Sequence, residues 1–398
     1  MNLRLFTLTF LILTVLPLSA FAHGTEAEHQ EEGLVYNKIA EGGLLISVIL
    51  LLISVAGIIV ISKQIKSVKV KSQKGQKKSR QLKRSSTILK WISAATLLSS
   101  IIFGFMTTRN PDAEQESTIG FQHIHGLGYT NDGKRIYIPA HDGLRVFSNG
   151  KWQIPEGEKH DYMGFSMVDD GFYSSGHPGP ASNLKNPFGI VKSKDLGKSL
   201  EILDLYKEID FHGMAVGYDS HAIYVLNPQP NSKMDDTGLY YTLDETKTWS
   251  KSQMNGLTAQ PASIAVHPSD KKVIAIGTKE GTFLSTDFGN TFESILPGVP
   301  ASAIHFTKEN KLLVGGLEEE SVLYEINLDT MEKNRISIPK ISNEDAITYI
   351  AVNPQNSSEI VFTSYEKQIY ITKDTGSSWT QIAKDGAAID SKDKNETN

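Results

Sequence analysis

The sequence predicts an all-β fold, a six-bladed β-propeller, preceded by a signal peptide and a hairpin of two transmembrane helices. The main observation is an eight-residue pattern, STDFGNTF at 285–292, which returns in altered form at 193–200, 242–249 and 372–379. Its aspartates lie 49, 43 and 87 residues apart, and 87 is about twice 43. A period in the low forties, with several short alternating strands in each unit, is typical of propeller blades.

Six such units fill 120–386, and each supplies one predicted blade. The blades are predicted at 122–154, 162–203, 214–252, 262–296, 302–338 and 348–382. The fifth unit has NLDT at 327–330 where the pattern is expected, which explains the doubled spacing. Seven blades are the alternative if 116–121 belongs to another sheet or supplies the closing strand of blade six.

The repeated pattern has the chemistry of a tight turn. An aspartate accepts hydrogen bonds from backbone N–H groups two or three residues later, glycine supplies a positive φ, and the final aromatic residue begins the next strand. This chemistry predicts a structural role for one aspartate in each copy: Asp195, Asp244, Asp287 and Asp374.

The pattern resembles the BNR or Asp-box repeat of sialidase-like and sortilin-like propellers. It departs from that repeat at Thr246, which replaces glycine, and at Leu200, which replaces the aromatic residue. HIHGLGY at 123–129 and KHDYMGF at 159–165 also resemble segments of Gram-positive bacterial membrane proteins that are named glycosylhydrolases from their repeats. The resemblance implies the fold, whereas activity depends on a site that the repeat does not contain.

Composition excludes several kinds of site. The 398 residues carry a formal net charge of −5 and include no cysteine. A disulfide framework, a thiolate metal site and a cysteine lipid anchor are therefore excluded.

Residues 1–22 have the order of a secretory signal peptide. Arg4 is followed by an apolar run at 5–16 and by the small-residue site AFA at 20–22. Cleavage would make His23 the first residue, and an uncleaved signal anchor is the alternative. His23 and His29 would then give the tail a weak capacity for metal handling.

Two apolar segments, 43–62 and 87–107, are long enough to cross about 30 Å of hydrocarbon. The basic loop 63–86 between them holds ten Lys or Arg residues and no Asp or Glu, so the positive-inside rule predicts that it is cytoplasmic. We interpret this loop as a topology signal that contacts the lipid bilayer rather than nucleic acid.

This topology predicts a cell-membrane protein whose propeller is extracytoplasmic, and the resemblance implies that it is bacterial. The segments outside the membrane would be the acidic tail 23–42, the linker 108–119, the propeller 120–386 and a disordered, charged tail 387–398.

Six histidines share one face of the predicted propeller, which we call the top face. It carries the approaches to the first strands and the turns between second and third strands, because strand direction alternates within a blade. Six ligand-binding residues are predicted there: His123, His125, His141, His160, His177 and His212. Of these, His125, His141, His160 and His212 are the candidate metal ligands. The alternative is that each histidine only caps a strand or fills a turn.

Imidazoles together with carboxylates suit a divalent metal such as zinc, copper or nickel. We therefore predict a membrane-anchored propeller whose top face binds a divalent metal, a peptide, a glycan or a membrane-protein partner. The alternative is a non-sialidase glycoside hydrolase, with the candidate catalytic residues Asp142, Asp161, Asp210 and Tyr162. Sialidase activity is disfavoured, because the resemblance implies an arginine triad that Arg135, Arg145 and Arg335 do not reproduce.

Overall fold

The structure is a computed structural model that describes residues 26–68, 72–108 and 119–389. The predicted signal peptide, nearly all of the linker and the chain from 390 onwards lie outside these residues. The chain forms two compact units, a helical one within 1–116 and an all-β one within 117–398.

The two helices are longer than the predicted membrane segments. Helix α1 spans Glu26–Ser67 and α2 spans Gln73–Thr108. Each includes a stretch long and apolar enough to cross a membrane, Gly42–Ser67 and Gln73–Gly104. Most of the basic segment 63–86 is therefore helical rather than an open loop, because lysine, arginine and glutamine are good helix formers.

Serine side chains join the two helices. Ser47 Oγ lies 2.9 Å from Ser100 Oγ, and Ser54 Oγ lies 2.8 Å from Ser93 Oγ. Large apolar side chains such as Trp91 project outward and are exposed. Small polar residues between helices and apolar residues outside are the arrangement that a lipid environment favours.

Six antiparallel sheets make up the second unit, so the predicted six-bladed propeller is confirmed. Within each sheet, each strand pairs with the next one along the chain. Blades one to three contain β1 Gly128–Tyr129, β2 Ile136–Ala140, β3 Gly143–Ser148, β4 Lys151–Gln153, β5 Asp161–Val168, β6 Gly171–His177, β7 Ile190–Ser193, β8 Glu201–Asp204, β9 Met214–Val216, β10 Ile223–Asn227, β11 Gly238–Thr242 and β12 Ser250–Lys251.

Blades four to six follow the same order, and the last has a fifth strand. They contain β13 Pro261–Val266, β14 Ile274–Thr278, β15 Gly281–Ser285, β16 Glu293–Pro297, β17 Ala301–Phe306, β18 Lys311–Leu317, β19 Ser321–Asn327, β20 Lys333–Ile336, β21 Ile347–Asn353, β22 Asn356–Ser364, β23 Ile369–Thr372, β24 Thr380–Lys384 and β25 Ala387–Ala388.

The propeller closes at the outer edge of blade six. Gly120 forms a bridge with Ala387, and the N–H of Ala388 donates to the carbonyl of Ile119 at 2.8 Å. The segment 119–121 thus extends blade six and forms no seventh sheet. Ala387–Ala388, which the sequence analysis placed in the disordered tail, are ordered here because they pair with both β24 and this segment.

Apolar side chains fill the contacts between adjacent blades. The described residues form six buried hydrophobic clusters, and each one joins two neighbouring sheets. Since both faces of a blade are covered, its central strands are mostly apolar, as in the fully buried strand β2. The packing between blades is therefore the core of the propeller.

The four repeated turns share one hydrogen-bond pattern. In the turn of blade four, Asp287 Oδ1 accepts from Ser285 Oγ at 2.8 Å and from the N–H of Thr291 at 2.9 Å, while Oδ2 accepts from Thr291 Oγ1. The backbone donor lies four residues later, further than the turn chemistry predicted. In blade five, Asn327 Oδ1 accepts two backbone N–H groups instead. Equivalent bonds are made by Asp195, Asp244 and Asp374.

Candidate functional site

Two histidines and an aspartate meet where blade one adjoins blade two on the top face. His141 Nδ1 lies 2.9 Å from Asp161 Oδ2, and His125 Nε2 lies 3.5 Å from Asp161 Oδ1. One ligand atom from each of the three residues lies within 4.8 Å of the other two. We refer to His125, His141 and Asp161 as group one.

His123 lies beside group one. Its ring centroid is 6.2 Å from that of His125 and 6.1 Å from that of His141. His123 therefore lies beside the two imidazoles that flank Asp161, which is only 7% exposed.

The backbone of blade one explains why these rings converge. Ile124 forms a bridge with Ala140, and the N–H of His125 donates to the carbonyl of Pro139 at 3.0 Å. The segment 123–125 thus runs alongside the end of β2, immediately before His141. Because side chains alternate along extended backbone, His123 and His125 fall on the same side, opposite to Ile124.

Arg145 holds the loop of His141 in place. This buried side chain donates from Nε to the carbonyl of Gly120 at 3.0 Å and forms an ion pair with Asp142. Asp142, a candidate catalytic residue, therefore pairs with Arg145 and stands apart from group one. The sequence analysis missed this role of Arg145, although a charged residue in the apolar strand GLRVFS is a usable signal.

A second cluster lies where blade two adjoins blade three, also on the top face. Asp210 Oδ2 lies 2.8 Å from His212 Nε2 and 3.3 Å from His177 Nε2. We refer to His177, Asp210 and His212 as group two. The histidine partners hold the pKa of Asp210 well below its usual range. In turn, hydrogen bonding to Asp210, aided by Asn186, raises the pKa of His177 to about 9.

The two groups are connected through the sheet of blade two. Asp161 of group one and His177 of group two are directly opposite each other in the pairing of β5 with β6. Side chains of directly opposite residues project from the same side of a sheet. The charge of Asp161 accordingly contributes to the raised pKa of His177.

His160 and Tyr162 join neither group. His160 is 2% exposed, its Nε2 lies 3.2 Å from Glu158 Oε2, and its Nδ1 accepts the N–H of Gly179 at 3.2 Å. Both of its ring nitrogens are thus engaged, and burial lowers its pKa. Tyr162 is fully buried against Phe172, and burial raises its pKa. The structure therefore places the candidate ligand His160 and the candidate catalytic Tyr162 within the packing of blade two.

A third His and Asp cluster, on the opposite face, has a lysine at its centre. His221 Nε2 lies 2.7 Å from Asp169, while buried Lys192 Nζ lies 3.2 Å from Asp170 and 3.1 Å from Glu245. The ammonium group pairs with Asp170 and Glu245, and its positive charge opposes the entry of a further cation. Sequence reasoning missed this cluster, whose signal is a lysine in the buried strand IVKS.

A cavity of about 510 Å³ follows the axis of the propeller and is lined by residues of all six blades. His125 of group one and His212 of group two line it at the top. At the other end, Lys308 Nζ of blade five lies 3.1 Å from Asp219 of blade three and 4.6 Å from the ring centre of Tyr218. These contacts bridge the lower end of the cavity, so both groups lie at the opposite, top end.

His305 lines this cavity, and burial lowers its pKa to about 4. The unfolded chain, with a histidine pKa of about 6.5, therefore binds this proton more readily than the folded protein as the pH falls from 6.5 to 4. Between pH 7 and pH 4.5 the wild type should therefore lose about 2 kcal/mol more stability than His305→Gln, which has no such proton to bind. Urea unfolding at the two pH values measures this, and equal losses in the two proteins would contradict it.

Comparison with known proteins finds similarity to solved structures only. No protein-family model matches the chain, and no curated protein sequence matches it. Among solved structures, the GH74 enzyme of Niastella koreensis has 16% identity and a TM-score of 0.46, over 67% of this chain and 46% of that one. YCF48 bound to D1 peptide has 13% identity and a TM-score of 0.40, over 67% and 83% of the two chains.

The β-propeller domain of Cps50 (Swd1) from Myceliophteria thermophila has 11% identity and a TM-score of 0.42, over 68% of this chain and 90% of that one. The matched region spans less than half of the GH74 enzyme's own length. Similarity at this level concerns architecture, so the function must be argued from groups one and two.

Proposed function

We propose that this protein is a membrane-anchored propeller that binds a divalent transition-metal ion at group one. The observation that carries the proposal is the convergence of His125, His141 and Asp161, whose ligand atoms lie within 4.8 Å of one another. Imidazole nitrogen and carboxylate oxygen are the donors that zinc, copper and nickel accept, and the ring of His123 packs beside the two imidazoles of this group.

The burial of Asp161 supports this assignment. A carboxylate removed from water needs compensating positive charge, and a divalent ion supplies more of it than a histidine that is only partly protonated near neutral pH. The hydrogen bond between His141 and Asp161 also keeps both side chains oriented toward the same point. The proposed site is thus preorganised by blade one and blade two together.

The membrane part of the proposal rests on helices α1 and α2. Their apolar outward surface, their serine contacts and the ten basic residues near the turn between them fit a hairpin with its basic end in the cytoplasm. The propeller would then be extracytoplasmic. A peptide, glycan or membrane-protein partner on the top face stays a prediction, and the proposed metal would be part of the surface that it meets.

Glycoside hydrolysis is less well supported. A general acid must retain its proton near neutral pH, which requires a raised carboxyl pKa. The pKa of Asp210 is instead lowered, Asp142 pairs with Arg145, and Asp161 lies between two histidines. The geometry of these candidate carboxylates therefore favours metal binding over acid catalysis.

The test is the zinc content of the full-length protein, purified in detergent without a histidine tag and with His23→Ala and His29→Ala as background. After equilibration with zinc and gel filtration, a His125→Ala/His141→Ala variant is expected to lose one metal equivalent relative to the background protein. His221→Ala, on the opposite face, is the matched control and should lose none. Equal zinc in the background protein and the double variant would refute group one as the site.

A further inference from the structure

We propose that group two holds a second divalent ion next to the first, so that the top face carries a paired metal centre. This inference rests on the proposed function for the first ion only. The ligand atoms of His177, Asp210 and His212 lie within 4.8 Å of one another. The group has the same composition as group one, two imidazoles and one carboxylate, but its residues come from blades two and three.

Asn186 prepares His177 for a metal. His177 Nδ1 lies within hydrogen-bonding distance of Asn186 Oδ1, and an amide oxygen is only an acceptor, so Nδ1 must carry the proton. Once an incoming ion displaces the proton on Nε2, the lone pair lies on that atom, which faces Asp210. A histidine that donates its other N–H to an oxygen acceptor is the usual arrangement around protein-bound metals.

The loop that carries Asn186 is itself held in place. The N–H of Lys185 donates to Tyr206 Oη at 2.6 Å, and the N–H of Phe188 donates to the carbonyl of Gly176 at 3.1 Å. These bonds fix the chain on both sides of Asn186. The orientation of His177 is therefore set by the longest insertion in blade two.

Group two is also open to an incoming ion. The side chain of His212 is 67% exposed, whereas those of His177 and Asp210 are 29% and 26% exposed. An ion can thus reach His212 first and then the more protected pair. On the opposite face, the ammonium group of Lys192 pairs with carboxylates. In group two the partners of the carboxylate Asp210 are imidazoles instead, and imidazoles become metal ligands once they lose their protons.

The two ions would be neighbours because Asp161 and His177 are directly opposite in the β5–β6 pair. The Cα atoms of such a pair are about 4.5–5.5 Å apart, and each residue belongs to a different group. Two paramagnetic ions bound at these groups are therefore expected to interact magnetically, which isolated ions do not.

The experiment is a copper(II) titration of the same full-length background protein, followed by elemental analysis and electron paramagnetic resonance. We expect two equivalents and a spectrum broadened by coupling between the ions. His177→Ala/His212→Ala should keep one equivalent with an uncoupled spectrum. Asn186→Ala, a milder change, should weaken only the second equivalent by about 10-fold. His221→Ala should match the background protein.

Each other outcome is decisive. A single equivalent that is lost in His125→Ala/His141→Ala but kept in His177→Ala/His212→Ala would overturn the second ion and leave the proposed function intact. A single equivalent that is lost in His177→Ala/His212→Ala but kept in His125→Ala/His141→Ala would refute the proposed function at group one. Two equivalents without coupling would overturn the pairing, and no bound copper would refute both proposals. Circular dichroism of each variant verifies that the propeller is folded.

Discussion

Replacing Trp152 by alanine is expected to lower the free energy of unfolding of the propeller by about 3–5 kcal/mol. Trp152 is 5% exposed and packs with its ring centroid 4.8 Å from that of Phe121 and 5.0 Å from that of Phe147. Its Nε1–H donates to the carbonyl of Ile382 in blade six at 2.6 Å. The substitution would therefore open a cavity and remove one of the two hydrogen bonds to the Ile382 carbonyl, which also accepts from the N–H of Ile389, at the contact that closes the ring of blades.

Urea unfolding of the full-length protein, followed by circular dichroism, measures this loss. Trp152→Phe keeps most of the packing but loses the hydrogen bond, so it should cost about 1–2 kcal/mol. Trp91→Ala is the matched control, because Trp91 is 71% exposed on helix α2 and should leave the propeller unchanged. Unfolding of Trp152→Ala and Trp91→Ala at the same urea concentration would contradict the role of Trp152 in closing the ring of blades.

Asp161→Asn is expected to lower the affinity of group one for zinc about 100-fold, which corresponds to about 2.7 kcal/mol. The substitution preserves the size of the side chain but removes the negative charge that faces both His125 and His141. An amide oxygen is a weaker ligand for zinc than a carboxylate. A smaller loss, of a few fold, is expected at group two, because Asp161 acts on His177 only through space.

Isothermal titration calorimetry with zinc measures both affinities. Asp169→Asn is the matched control, since Asp169 also pairs with a histidine, His221, at 2.7 Å but on the opposite face. An unchanged zinc affinity in Asp161→Asn would mean that Asp161 is not a ligand. A comparable loss in both variants would point to a general effect of net charge rather than to group one.

Several features of this protein follow from local sequence. The repeat of the turn aspartates predicts the number of blades, because each turn needs the same side-chain bonds wherever it occurs. The alternation of strand direction then assigns each histidine to a face, since the face depends only on the position of a residue within its blade. For this reason the sequence was sufficient to place His125, His141, His177 and His212 on one side.

Tertiary structure alone decided which of these side chains meet. Asp161 joins His141 across a blade boundary, whereas His160, its neighbour in sequence, turns toward Glu158 and Gly179. Such choices depend on loop conformation and on packing between residues far apart in the chain, and strand periodicity does not contain this information. The sequence by itself determined the blades and the shared face. Packing between blades divided the six histidines into two groups, with His123 beside group one and His160 buried.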